Sequence, residues 1–353
     1  MDELAGVEER YAEASGARSA WFIEARHVPE ALGLCGLVHD AVLIACANDF
    51  SAAFGDGFPC RRIVPVDDPA PEAFLAASAP ALDDGLPVAW FANSIGCRGL
   101  RVADIRKLSG SAREVGALLV VDNTVPSLFG CRPFEAGVPV VLEALDRVAA
   151  GRLPRRAVAV SVAPAHFKQG RKRFDNEFAV RAHRFLSNAL RPSADAADIA
   201  AAVDEGLDTL ALRMQAHMDN ARAIAEYLAA HDGVEAVWYP GLSGHVDRPV
   251  ASNVLVHGAG PAIDFSLPAP LDARAFADML GEGYRGCPAG GSRTRISARD
   301  GWDARALRLF AGTDEALRVV DDLDRALRAL SRHSMYPFVK GSANERGRSC
   351  GTG

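Results

Sequence analysis

Leu118 to Val121 is an unbroken apolar run, Leu-Leu-Val-Val, followed at once by Asp122, Asn123 and Thr124. It is too short for a typical helix and does not alternate, so it predicts a strand buried on both faces, as in a parallel sheet. Open α/β folds place ligands at the carboxyl ends of such strands. Asp122, Asn123 and Thr124 are therefore candidate site residues. After a loop containing Pro126, Arg132-Pro133 and Gly137, a second apolar run spans Val138 to Leu142.

The same reading predicts strands at Asp40–Cys46, Arg61–Asp68, Val88–Ala92 and Ala157–Val162. Residues 3–33, with Glu3, Val7, Tyr11 and Ala14 at helical spacing, predict one or two helices. A chain of 353 residues, 49% hydrophobic, is long enough for one large α/β domain and a smaller one. Its net charge of -6 gives no reason to expect nucleic-acid binding. No apolar run approaches the roughly 20 residues needed to span a bilayer, and the first residues, MDELAGVEERYAEA, are acidic, unlike a signal peptide. The seven cysteines form no Cys-x-x-Cys pair and suit reduced thiols of a cytoplasmic protein. The one basic cluster, Arg152, Arg155, Arg156, Lys168, Arg171, Lys172 and Arg173, reads as a solvated loop face, and His245 as a surface histidine.

The order VVDNT, then RP, then EAG, then an apolar run (residues 120–142) resembles the centre of the Cys/Met-metabolism family of pyridoxal-phosphate enzymes, which includes the cystathionine synthases and lyases and methionine γ-lyase. Members typically read VVDNTFATP, RPLELGAD and HSATKYLGGHSD. A long second match, AAVDEGLDTLALRMQAHMDNARAIAEYLAAHDGVEAVWYPGL (201–242), resembles the family's bridging helix. The resemblance implies an α/β chain of the PLP-dependent transferase fold type I: a mostly parallel sheet with flanking helices and a small α/β C-terminal domain. Residues 1–215 would form the large domain, 216–333 the small one, and 334–353 a disordered tail. It implies pyridoxal 5'-phosphate as cofactor, with Asp122 on the pyridine nitrogen, Asn123 and Thr124 beside it, and Phe50 stacked on the ring. Arg308 would bind the α-carboxylate of a sulfur amino acid of the cystathionine, O-acyl-homoserine, cysteine or methionine type. Family members form dimers that associate into tetramers.

Laid on HSATKY without a gap, this chain reads Glu143, Ala144, Leu145, Asp146, Arg147 and Val148. The Schiff-base lysine slot holds Arg147. A guanidinium stays protonated at any working pH and cannot be the nucleophile. The Ser and Thr hydroxyls that hold the phosphate become Ala144 and Asp146, and a carboxylate repels a phosphate. The family's Ser-Gly-Met phosphate turn falls near Glu24, Ala25 and Arg26, and its leading Tyr-x-Arg segment has no counterpart in this sequence. Only four lysines exist, Lys107, Lys168, Lys172 and Lys340, with Lys168 and Lys172 expected at the start of a helix. The expectation is a degenerate member that holds no cofactor and acts as a non-catalytic partner or ligand-binding subunit. It would form a homodimer, or a heterodimer with an intact relative, and retain affinity for a small carboxylate. Asp122 would cap a turn or pair with Arg147. The alternative is a PLP-dependent lyase or transferase using Lys168 or a partner-supplied lysine.

Overall fold

The computed structural model describes residues 2–34, 38–46, 59–96, 98–151, 153, 156–169, 171–190, 196–286, 289–298 and 303–335. Helix α1 (Asp2–Ser15) leads into strand β1 (Ser19–Glu24) and helix α2 (Val28–Leu34). There follow β2 (Val42–Cys46), β3 (Arg62–Val66), α3 (Pro71–Asp83), β4 (Val88–Asn93), α4 (Ile105–Glu114), β5 (Leu118–Asp122), β6 (Val140–Ala144) and β7 (Ala157–Val162). These seven strands form one sheet in the order β1-β7-β6-β5-β4-β2-β3. Strands β2 to β6 run parallel, and β7 is antiparallel to both β6 and β1. The carboxyl ends of β1, β4, β5 and β6 therefore share one edge of the sheet.

Every residue of β2, β4 and β7 is buried, as expected of strands covered on both faces. One face packs on α2, α3, α4 and α5 (Glu177–Ala189). The other packs on α1 and the first part of α6 (Ala196–Ala230), through Leu4, Val7, Tyr11, Ile199 and Val203. At 35 residues, α6 is about 52 Å long. Its second half supplies Ala221, Ile224, Ala225 and Leu228 to a separate core. That core lies under a second, antiparallel sheet in the order β10-β11-β13-β12, formed by β10 (Ala236–Trp238), β11 (Ala262–Ser266), β12 (Arg295–Ala298) and β13 (Ala306–Phe310). Helices α7 (Arg248–Val254), α8 (Ala273–Leu280) and α9 (Ala316–Met335) complete this part of the chain.

Three expectations are corrected. Residues 19–24, read as helical, form β1, which pairs along its whole length with β7. Lys168 and Lys172 do not start a helix; they sit on a hairpin of β8 (His166–Gln169) and β9 (Lys172–Asp175). Two strands alone are marginal. This hairpin is anchored by Phe167 and Phe174, stacked 5.3 Å apart, with the Arg113 guanidinium over both rings. His245 is buried rather than exposed. Residues 336–353, most of the expected tail, lie outside the described residues, as do Phe50, Arg152, Arg155 and Lys340.

Candidate active site

The edge where β1, β4, β5 and β6 end brings together Glu24, Asn93, Asp122 and Ala144 to Arg147. Asp122 pairs across the sheet with Asn93 on one side and Leu142 on the other. Its Oδ1 accepts the Thr124 N–H at 2.9 Å, so it caps a turn. The Thr124 hydroxyl oxygen accepts the Ala144 N–H at 2.9 Å, tying the ends of β5 and β6 together. Burial raises the Asp122 pKa above the ordinary carboxylate value; the Thr124 hydrogen bonds and, more weakly, the Arg147 charge oppose it. Asn123, just past β5, is buried, its Nδ2 donating to the Cys131 carbonyl at 3.1 Å.

Arg147 lies in a π-helical turn, Leu145–Ala149, that follows β6 directly. Its Nε is 3.9 Å from Asp146, too long for a hydrogen bond, and no ion pair joins it to Asp122 among the described residues. Of the two roles expected for Asp122, the turn cap is realised and the direct pair with Arg147 is not. The backbone of this turn is held from two sides. Arg213 of α6 donates to the Val148 carbonyl at 2.7 Å and to the Gly206 carbonyl at 2.8 Å. A Cβ on Gly290 would lie 2.4 Å from the Arg147 carbonyl oxygen, so only glycine permits that approach.

Glu24 and Asp146 bring two acids to the same edge. Arg26 pairs with Glu24 at 2.8 Å, and burial raises the Asp146 pKa against the pull of Arg147 and Arg156. The Ala25 N–H, which opens the turn after β1, donates to the Arg156 carbonyl at 3.0 Å. A phosphate would meet two carboxylates and an amide already engaged.

No described lysine lies at the position. The Lys107 side chain is exposed beside Asp104, and Lys168 and Lys172 are exposed on the β8–β9 hairpin. That hairpin follows the end of β7 that pairs with the start of β6, and Phe167 packs on Gly137 just before β6. Arg147 follows the other end of β6, about 16 Å along the strand. The described residues keep a carboxylate for a pyridine nitrogen and do not fit a lysine-linked pyridoxal phosphate.

Below Ala144 the sheet holds an unexpected acid. Glu143 is buried and accepts from Tyr11 Oη at 2.8 Å, Ser127 Oγ at 2.5 Å and the Leu128 N–H at 3.0 Å. Burial outweighs these donors and pushes its pKa to about 7. Arg308 of β13 faces Asp264 of β11 in direct register, donating from Nε at 2.6 Å and Nη2 at 2.7 Å. The arginine assigned to a substrate carboxylate thus holds one of the chain's own.

The seven-stranded sheet with β7 reversed, the small antiparallel sheet and the bridging helix are those of the PLP-dependent transferase fold type I. Residues 71–282 match the model of the Cys/Met metabolism PLP-dependent enzyme family, and the chain belongs to it. Cystathionine beta-lyase of Lactococcus lactis subsp. cremoris is 31% identical over 181 residues, 51% of this chain and 44% of that protein. O-acetyl-L-homoserine sulfhydrylase of Leptospira meyeri is 28% identical over 249 residues, 61% of this chain and 54% of that protein. The chain thus spans about half the length of the curated relatives it matches. Among solved structures, a cystathionine gamma synthase from Xanthomonas oryzae pv. oryzae superposes with a TM-score of 0.78 at 23% identity, covering 94% of this chain and 87% of that one. Apo CalE6, a methionine gamma lyase from Micromonospora echinospora, gives 0.76 at 25% identity, covering 93% and 87%.

Proposed function

We propose that this chain is a family member that forms no Schiff base of its own and acts as a non-catalytic partner or ligand-binding subunit. It would pair with itself or with an intact relative. The observation that carries this reading is Arg147, at the end of β6 where the family's lysine would stand, with the three described lysines exposed in other elements. A permanently charged guanidinium cannot supply the neutral amine that attacks the cofactor aldehyde. Glu24 and Asp146 add repulsion where a phosphate would rest. On this reading the chain carries no resident cofactor. Titration of the purified protein with pyridoxal phosphate tests it: the absorbance should equal the sum of free cofactor and protein, and a saturable new band would overturn the proposal.

The comparisons favour a second reading. The named relatives are lyases and a sulfhydrylase of sulfur amino-acid chemistry, and Asp122 keeps its place at the end of β5. Under it the chain is a PLP-dependent lyase or transferase whose lysine comes from a partner or from outside the described residues. Cofactor bound in excess of one per protomer of an added intact relative would support this reading against the first.

A further inference from the structure

Three hydrogen-bond donors converge on one buried carboxylate at the junction of the two sheets. Arg308 offers Nε and Nη2 to the two oxygens of Asp264, and the Gly99 N–H donates to Oδ2 at 3.1 Å. The Asp264 side chain is 1% exposed and that of Arg308 11%. A planar fork and a backbone amide around one carboxylate are the parts of a carboxylate receptor.

The amide does not belong to the small sheet. Gly99 lies on the loop between β4 and α4, and that loop is fastened to the small-sheet side at further points. His245 Nε2 donates to the Gly99 carbonyl at 3.0 Å, while its Nδ1 accepts the Asp247 N–H at 3.2 Å. Asp247 accepts from Arg101 Nε at 2.6 Å and from the Val102 N–H at 2.9 Å. Both backbone groups of Gly99 are thus satisfied by side chains about 150 residues away in sequence. Between these anchors Leu100 is fully buried with φ +49°, a left-handed conformation that a leucine keeps only when its surroundings hold it there.

We propose that Arg308 and the Gly99 amide form a carboxylate receptor which the chain fills with its own Asp264. The occupant latches the loop after β4 onto the small sheet and withholds the guanidinium from free carboxylates. A carboxylate ligand reaches Arg308 only by displacing Asp264. This goes beyond the cofactor question, because the receptor's state does not depend on whether a Schiff base forms.

Chemical rescue tests the proposal without any cofactor. In Asp264→Ser the receptor is emptied and the Arg308 Nε and Nη2 lose the carboxylate they donate to, so the melting temperature falls. Formate at about 100 mM should then raise it by several degrees relative to the same concentration of chloride. The wild-type chain should respond equally to both salts. Asp264→Ser combined with Arg308→Met should lose the formate response. If Asp264→Ser does not fold in chloride, its refolding yield in formate replaces the melting shift. Equal behaviour of Asp264→Ser in formate and chloride, by either readout, would overturn the proposal. So would a wild-type formate shift as large as the variant's.

Discussion

Arg147 and Glu143 are four residues apart and show opposite ways of placing charge at the end of β6. The Arg147 side chain is about a third exposed. Glu143, buried without a cation against it, answers by holding its proton to about pH 7. Folding raises its pKa from an ordinary 4.5, so between about 4.5 and 7 the native state keeps a proton that the unfolded chain has released. Stability from this group is fully present below 4.5 and is lost as pH rises through 7, by about 3 kcal/mol. Glu143→Gln removes the titration. The stability of the variant relative to wild type, from urea unfolding, should grow by that amount between pH 4.5 and pH 8; a pH-independent difference would contradict the assignment. For Arg147 the matching substitution is Arg147→Lys. With Glu24 and Asp146 still in place, the new lysine should bind pyridoxal phosphate weakly. Adding Asp146→Thr should tighten binding about tenfold, equivalent to about 1.4 kcal/mol of removed repulsion, as read by absorbance titration.

Helix α6 is the element that ties site to scaffold. Gly206 lets it approach the turn after β6 so closely that a Cβ would lie 2.3 Å from the Ala149 carbonyl oxygen, and Arg213 then reaches the Val148 and Gly206 carbonyls. Gly206→Ala should therefore destabilise the chain by about 1–3 kcal/mol, measured as a lower urea midpoint, despite alanine's better helix propensity. How legible each element was follows from where its partners lie. The runs that became β2, β4, β5, β6 and β7 were readable because burial on both faces writes an apolar stretch directly into the sequence. Strand β1 was not, because SAWFIE carries a mixed pattern beside a helix and gains its pairing from β7, more than a hundred residues on. The β8–β9 hairpin was hidden by its charges: Lys168 and Arg173, paired with each other, occupy the face opposite Phe167 and Phe174, and Lys172 is exposed at the hairpin's end. At the site, Asp122, Asn123, Thr124 and Arg147 were legible because they follow strands in a motif. Asp264, His245 and Arg213 act through contacts far apart in the chain, which no local pattern records.

The molecule as a whole keeps the fold of its family, and on the proposed reading its site chemistry has changed. Two cores, the bridging helix and both sheets are present; on the proposed reading the positions for amine, phosphate and carboxylate hold an arginine, two acids and an internal ion pair. Fold alone does not fix function, and here the same scaffold is compatible with a subunit whose value lies in its surfaces. No described helix is long and apolar enough to cross a membrane. On the proposed reading, none of the described lysines reaches the cofactor position. Borohydride reduction of the full chain with excess pyridoxal phosphate, followed by peptide mass mapping, tests it most directly. Only sparse labelling, as of exposed Lys107, Lys168 and Lys172, proportional to cofactor concentration, is expected. Stoichiometric, saturable labelling of a single lysine would contradict it.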